Sequence, residues 1–150
     1  MQRSLSHQKP LVPFVYIVLF ILYSSLSTMY LFLPPLLSVL YILFSKALQR
    51  EDTLAIFLIS LCLIVFEVNF GYMLLSTIVY FYLLHKFIMP KIAQNFSCKG
   101  CILFFAVVMS YLGYFLFLVL IGNIFMIATP HISYYIIYYI ILEFFFVSLL

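Results

Sequence analysis

The chain has 150 residues, 68% hydrophobic and 7% charged, with seven Lys and Arg against four Asp and Glu for a formal net charge of +3. An ordinary soluble domain carries about 25% charged residues, and at a mean hydropathy of +1.29 too few polar side chains remain to cover a water-facing surface. This excludes a water-soluble fold, excludes disorder because so much apolar surface is available for burial, and leaves no basic stripe for nucleic acid.

The expected fold is an all-α integral membrane protein, one polytopic domain over residues 1–150, with membrane lipid as its first partner. A helix rising 1.5 Å per residue needs about 20 apolar residues to cross the hydrocarbon core, with about 17 as a lower limit. The first apolar block, Leu11 to Leu48, breaks at Pro34-Pro35, where missing donors and restricted geometry oppose a continuous helix. It reads as two passes. Its amino end resembles a secretory signal, with basic residues, an apolar run and Ser25-Leu26-Ser27. Bulky apolar residues follow directly, so a retained first helix is expected.

The second block, Thr53 to Met89, is interrupted at Glu67-Val68-Asn69-Phe70-Gly71 and reads as a tight hairpin. The third runs from near Cys101 to Leu150 and is divided at Thr129-Pro130-His131. The sum is six short transmembrane helices. Lys and Arg are retained in cytoplasmic loops. Arg3 and Lys9, then Lys46 and Arg50, then Lys86, Lys91 and Lys99 all fall on one side of a six-pass arrangement with both termini cytoplasmic. Because passes two and three are near the minimum length, five passes with a re-entrant segment is the alternative.

Glu143 lies deep in the last pass, where an ionisable group costs about 2.5–3.5 kcal/mol on insertion scales. It needs a partner, and Tyr139, Ser110, Tyr111, Lys46 and Lys86 are candidates. A protonated, hydrogen-bonded carboxyl that fixes helix packing and a ligand, proton or partner contact both remain open. Glu67, beside Asn69 and ahead of Gly71, reads as a partly hydrated helix-ending acid, or as a contact facing the exterior. Gly71 permits the turn.

Cys98-Lys99-Gly100-Cys101 has C-x-x-C spacing, used in thiol exchange and as half a zinc site. A closed zinc site needs four ligands, and three cysteines cannot supply a second dithiol. His7, His85 and His131 lie in separate segments and read as interfacial. No nucleophile elbow, phosphate loop or His-Glu-x-x-His helix occurs, so neither catalysis nor a cofactor is expected. Small residues let helices approach closely in lipid. Ser24 with Thr28, and Ala106 with Ser110 and Gly113, are the candidate packing faces. Tyr134, Tyr135, Tyr138 and Tyr139 fit an interfacial aromatic belt.

From Pro34-Pro35-Leu36-Leu37-Ser38-Val39-Leu40-Tyr41-Ile42, through the break at Lys46–Asp52, into Leu61–Gly71 and on to Tyr82-Leu83-Leu84, the chain resembles the MreD-type rod-shape-determining membrane proteins. That family pairs a proline-led second helix with a third helix ending in an acid, then a glycine leading the next helix. Glu67 stands at the acidic position, usually Asp, and Gly71 at the glycine. The departures are a shorter turn, Cys62-Leu63-Ile64-Val65-Phe66 in place of a small-residue run, and an end at Leu150 without a polar tail. The resemblance implies a non-catalytic scaffold in the bacterial cytoplasmic (inner) membrane. Such a scaffold binds MreC-like partners and coordinates peptidoglycan synthesis with the filament MreB in setting cell shape. Similarity of that family to substrate-binding subunits of vitamin transporters supplies the alternative of a small-molecule binding subunit. A membrane thiol oxidoreductase centred on Cys98 and Cys101 is the third.

Overall fold

A computed structural model describes residues 11–126 and 133–149. The tail with Arg3, His7 and Lys9, the break at Thr129-Pro130-His131 and Leu150 lie outside them. Among the described residues the chain is all-helical, with six helices and no strand. They are α1 (Leu11–Met29), α2 (Leu37–Gln49), α3 (Thr53–Phe70), α4 (76–95), α5 (Lys99–Phe125) and α6 (Tyr135–Leu149). Two of them, α3 and α5, are long and apolar enough to cross a membrane, with mean hydropathies of 2.3 and 2.4.

Two helices widen locally. In α4, a π-helical turn at Leu84–Ile88 joins Ser76–Leu83 to Met89–Asn95. Pro90 follows that turn; its ring opposes the carbonyl four residues earlier and it lacks an N–H, so a widened turn relieves both conflicts. In α5, a π-helical turn at Met109–Gly113 contains Tyr111 and directly precedes Tyr114.

The breaks differ from the expected hairpins. Instead of turning at Pro34-Pro35, the chain leaves α1 at Met29, turns at Tyr30–Leu33 and passes the prolines without helix before α2 starts. A residue preceding proline is pushed toward extended geometry, so the pair holds the approach to α2 open rather than making the bend. Glu67 is likewise not in a turn: α3 continues through Phe70. Gly71, at φ +68°, ends it, with the Gly71 N–H donating to the Val68 carbonyl at 3.3 Å and Tyr72 N–H to the Glu67 carbonyl at 2.9 Å. This is a Schellman closure. The start of α3 is capped by the Asp52 carboxylate, which accepts from the Ala55 N–H at 3.4 Å.

The core joins α2, α3, α4 and α5 through Tyr41, Phe44, Leu63, Phe66, Phe81, Leu84, Tyr111 and Tyr114. Tyr41 meets Phe81 edge-on at 5.1 Å between ring centroids. α1 packs along α3, and α6 packs on α5 and the start of α2. Outward faces carry large exposed apolar side chains throughout, among them Phe14, Leu22, Leu54, Phe57, Leu116 and Phe145.

Candidate functional site

Helices α2 and α4 begin in the same unusual way. Each is preceded by a leucine in the left-handed region, Leu36 at φ 54° and Leu75 at φ 68°, and neither has a side-chain cap from its own N-cap residue. The first N–H groups of a helix have no partner within it, and Leu37, Ser38, Ser76 and Thr77 are all buried from solvent. Acceptors must arrive from other helices.

Glu143 on α6 supplies them to α2. Its Oε1 accepts from the Leu37 N–H at 3.1 Å and its Oε2 from the Ser38 N–H at 2.8 Å. The hydroxyls of Ser38 and Tyr111 also donate to it. Glu67 on α3 does the same for α4, accepting from the Leu75 N–H and the Thr77 N–H, each at 2.6 Å, and from the Ser76 hydroxyl at 3.2 Å. Both glutamates are 0% exposed. Glu67 is therefore neither hydrated nor facing the exterior, which corrects the expectation for it. A helix N-terminus favours an anion because its free N–H groups and its dipole point the same way.

Proton counting orients the second network. The Ser76 proton goes to Glu67, so the Tyr114 hydroxyl donates to the Ser76 oxygen, 3.1 Å away, while Thr77 donates to Tyr114 at 2.9 Å. The backbone N–H groups can only donate to the two carboxyls, whereas the Ser38 and Tyr111 hydroxyls can donate to Glu143 or accept from it, so these hydrogen bonds accommodate a carboxylate and the expected protonated carboxyl alike.

Of the partners expected for Glu143, Tyr111 alone makes the bond. The Tyr139 hydroxyl donates instead to the Leu31 carbonyl at 2.5 Å, Ser110 donates to the Ala106 carbonyl at 2.8 Å, and the Lys86 ammonium lies 3.5 Å from the Tyr82 hydroxyl. No ion pair involves Glu143 or Lys46 among the described residues. Asn69 donates to the Ser24 hydroxyl at 2.9 Å, tying α3 to α1. Thr28, its expected packing companion, is exposed and donates to its own helix at the Ser25 carbonyl, 2.7 Å away; buried Ser27 accompanies Ser24 on the inner face instead. Ala106 and Ser110 are buried. A Cβ on Gly113 would collide with the hydroxyl of Tyr80, which donates to the Met109 carbonyl at 2.6 Å.

The sequence reading missed Ser38, Ser76, Thr77 and Tyr114. One signal was available: the equivalent triplets Leu36-Leu37-Ser38 and Leu75-Ser76-Thr77 each begin with leucine and end with a hydroxyl residue shortly after a proline or glycine break.

Cys98 is exposed at the start of α5 and Cys101 half-buried one turn later, both free thiols. Hydrogen bonds from the Cys101 thiol, then from the backbone amides of Cys101 and Gly100, hold the Cys98 thiol below its ordinary value. Cys62 is buried elsewhere in the core. Nδ1 of His85 pairs with the Ser45 hydroxyl at 2.8 Å. Among the described residues, no three His, Cys, Asp or Glu side chains converge as metal ligands.

No protein-family model, curated protein or solved structure matches this chain.

Proposed function

We propose that this chain is a non-catalytic scaffold of the bacterial cell-elongation machinery, crossing the inner membrane six times with both termini in the cytoplasm and engaging MreC-like partners. One observation carries the reading: both buried acids are consumed in joining helices. Glu143 ties α6 and α5 to the start of α2, and Glu67 ties α3 to the start of α4 and, through Ser76, to Tyr114 of α5. An ionisable group in lipid is tolerated when it pairs inside the bundle, and here the pairing fixes the relative positions of five helices. A rigid bundle with large apolar side chains outside is suited to presenting fixed helix faces to other membrane proteins.

The family resemblance agrees with this arrangement. Its proline-led helix corresponds to α2, its acid to Glu67 and its glycine to Gly71 ahead of α4. In lipid the short α2, 13 residues or about 20 Å, reaches the far surface only with the extended run through Pro34-Pro35.

The test is depletion in a rod-shaped host together with co-purification after mild detergent extraction. Rounding of the cells and recovery of an MreC-like protein are expected. Unchanged cell shape with no elongation protein recovered overturns the proposal.

A further inference from the structure

Cys98 is the N-cap of α5, in extended geometry at φ −87° and ψ 118°, and its carbonyl accepts from the Ile102 N–H at 3.1 Å. Cys101 stands three positions on, where a capping side chain meets a free N–H of the first turn. The Cys98 side chain folds back over that turn rather than away from it, with its Sγ 4.0 Å from the place a Cβ on Gly100 would occupy. On the preceding side Phe96 packs on Phe105 at 4.8 Å between ring centroids, which pins the chain as it enters the helix.

We propose that Cys98 and Cys101 form a thiol–disulfide exchange site that reacts with small-molecule disulfides of the glutathione class, Cys98 attacking and Cys101 resolving. Exposure sets the order, since Cys98 is exposed and Cys101 half-buried. The amides of Cys101 and Gly100, with the Cys101 thiol, hydrogen-bond to the Cys98 sulfur and favour its thiolate, which is the attacking form. Residues three apart on a helix hold their Cβ atoms about 5–6 Å apart, against roughly 3.5–4.5 Å in a disulfide. Closure therefore needs a small inward shift, and Cys98, as the N-cap, lies outside the regular helix and is free to make it.

The electrons balance in two steps. The Cys98 thiolate attacks one sulfur of the incoming disulfide, forming a mixed disulfide and expelling a thiolate that takes a proton from solvent. The Cys101 thiol then gives its proton to solvent and attacks the Cys98 sulfur, expelling the second thiolate. The protein dithiol is oxidised and the small disulfide is reduced to its thiols. Cys62 is buried in the core and takes no part, so the exchange ends with the Cys98–Cys101 bond. Cytosolic disulfides are usually transient and redox-sensing, which suits the side where the proposed topology puts this pair. The chemistry itself does not depend on the scaffold reading.

The test incubates the purified full chain in detergent with oxidised glutathione, quenches with acid, and reads intact mass and peptide maps. The native chain should close to a Cys98–Cys101 disulfide, lighter by a pair of hydrogens, without accumulating the mixed form. Cys101→Ser should stop with glutathione bound to Cys98. Cys98→Ser should react at Cys101 at least about tenfold more slowly than Cys101→Ser reacts at Cys98. A native chain that stays reduced or stops at the mixed disulfide, or equal rates in the two variants, overturns the assignment. The native measurement requires no variant to fold.

Discussion

Tyr111 and Tyr114 stand three residues apart on α5 yet serve different helix starts. Tyr111 donates to Glu143 at the head of α2, whereas Tyr114 bonds Ser76 and Thr77 at the head of α4, beside Glu67. The π-helical turn at Met109–Gly113 lies at this divergence. Neighbours in an ordinary helical turn share a face, and a local change of pitch redirects one of them.

Tyr111→Phe and Tyr114→Phe should each destabilise the protein by about 1–2 kcal/mol, the worth of a buried hydrogen bond with its unpaired partner left behind. Because Tyr111 bonds Glu143 while Tyr114 bonds Ser76 and Thr77, with no shared partner, the double variant should be additive within about 0.5 kcal/mol. Thermal unfolding in detergent reads this out. A coupling above about 1 kcal/mol would instead show one shared network.

Glu143→Leu should be the most damaging single change, costing ~4 kcal/mol, since it strands two N–H groups and two hydroxyls that are buried. Glu143→Gln keeps one acceptor oxygen and should lose roughly half as much. Stability curves for the pair decide the point. Equal losses would mean that side-chain volume, not accepting capacity, holds α6 against α2.

Gly113→Ala should destabilise by about 1–3 kcal/mol as an overpacking substitution, because the new methyl group meets the Tyr80 hydroxyl, which is anchored on Met109. Removing that hydroxyl with Tyr80→Phe should recover part of the loss in the double variant. A double-mutant cycle measures the rescue; strict additivity would place the conflict elsewhere.

Cys98 should alkylate at lower pH than an ordinary thiol, because hydrogen bonds to its sulfur favour the thiolate and a lowered pKa populates that form sooner as pH rises. Cys101→Ala removes the largest of those contributions, so the pH midpoint should move upward. In the proposed topology, a membrane-impermeant maleimide should reach Cys98 in inverted vesicles but not in intact spheroplasts. Labelling from the outside contradicts the cytoplasmic placement of the basic loops.

The number of helices, the breaks near the prolines and Gly71, and the apolar outer faces follow from sequence alone, since each reflects residues close together in the chain. Hydrophobic runs of helical length, donor-free prolines and a glycine free to take φ +68° act locally. The chemistry of the acids does not. Glu143 meets Leu37 and Ser38 across 106 and 105 positions, and no local spacing announces such a pair. Glu67 lies only eight to ten residues from its partners, yet its burial depends on α5 closing over it through Tyr114. The sequence determined that buried acids needed donors; the tertiary structure decided that the donors were helix starts, because only packing brings a helix end with unmet N–H groups against a carboxylate away from water.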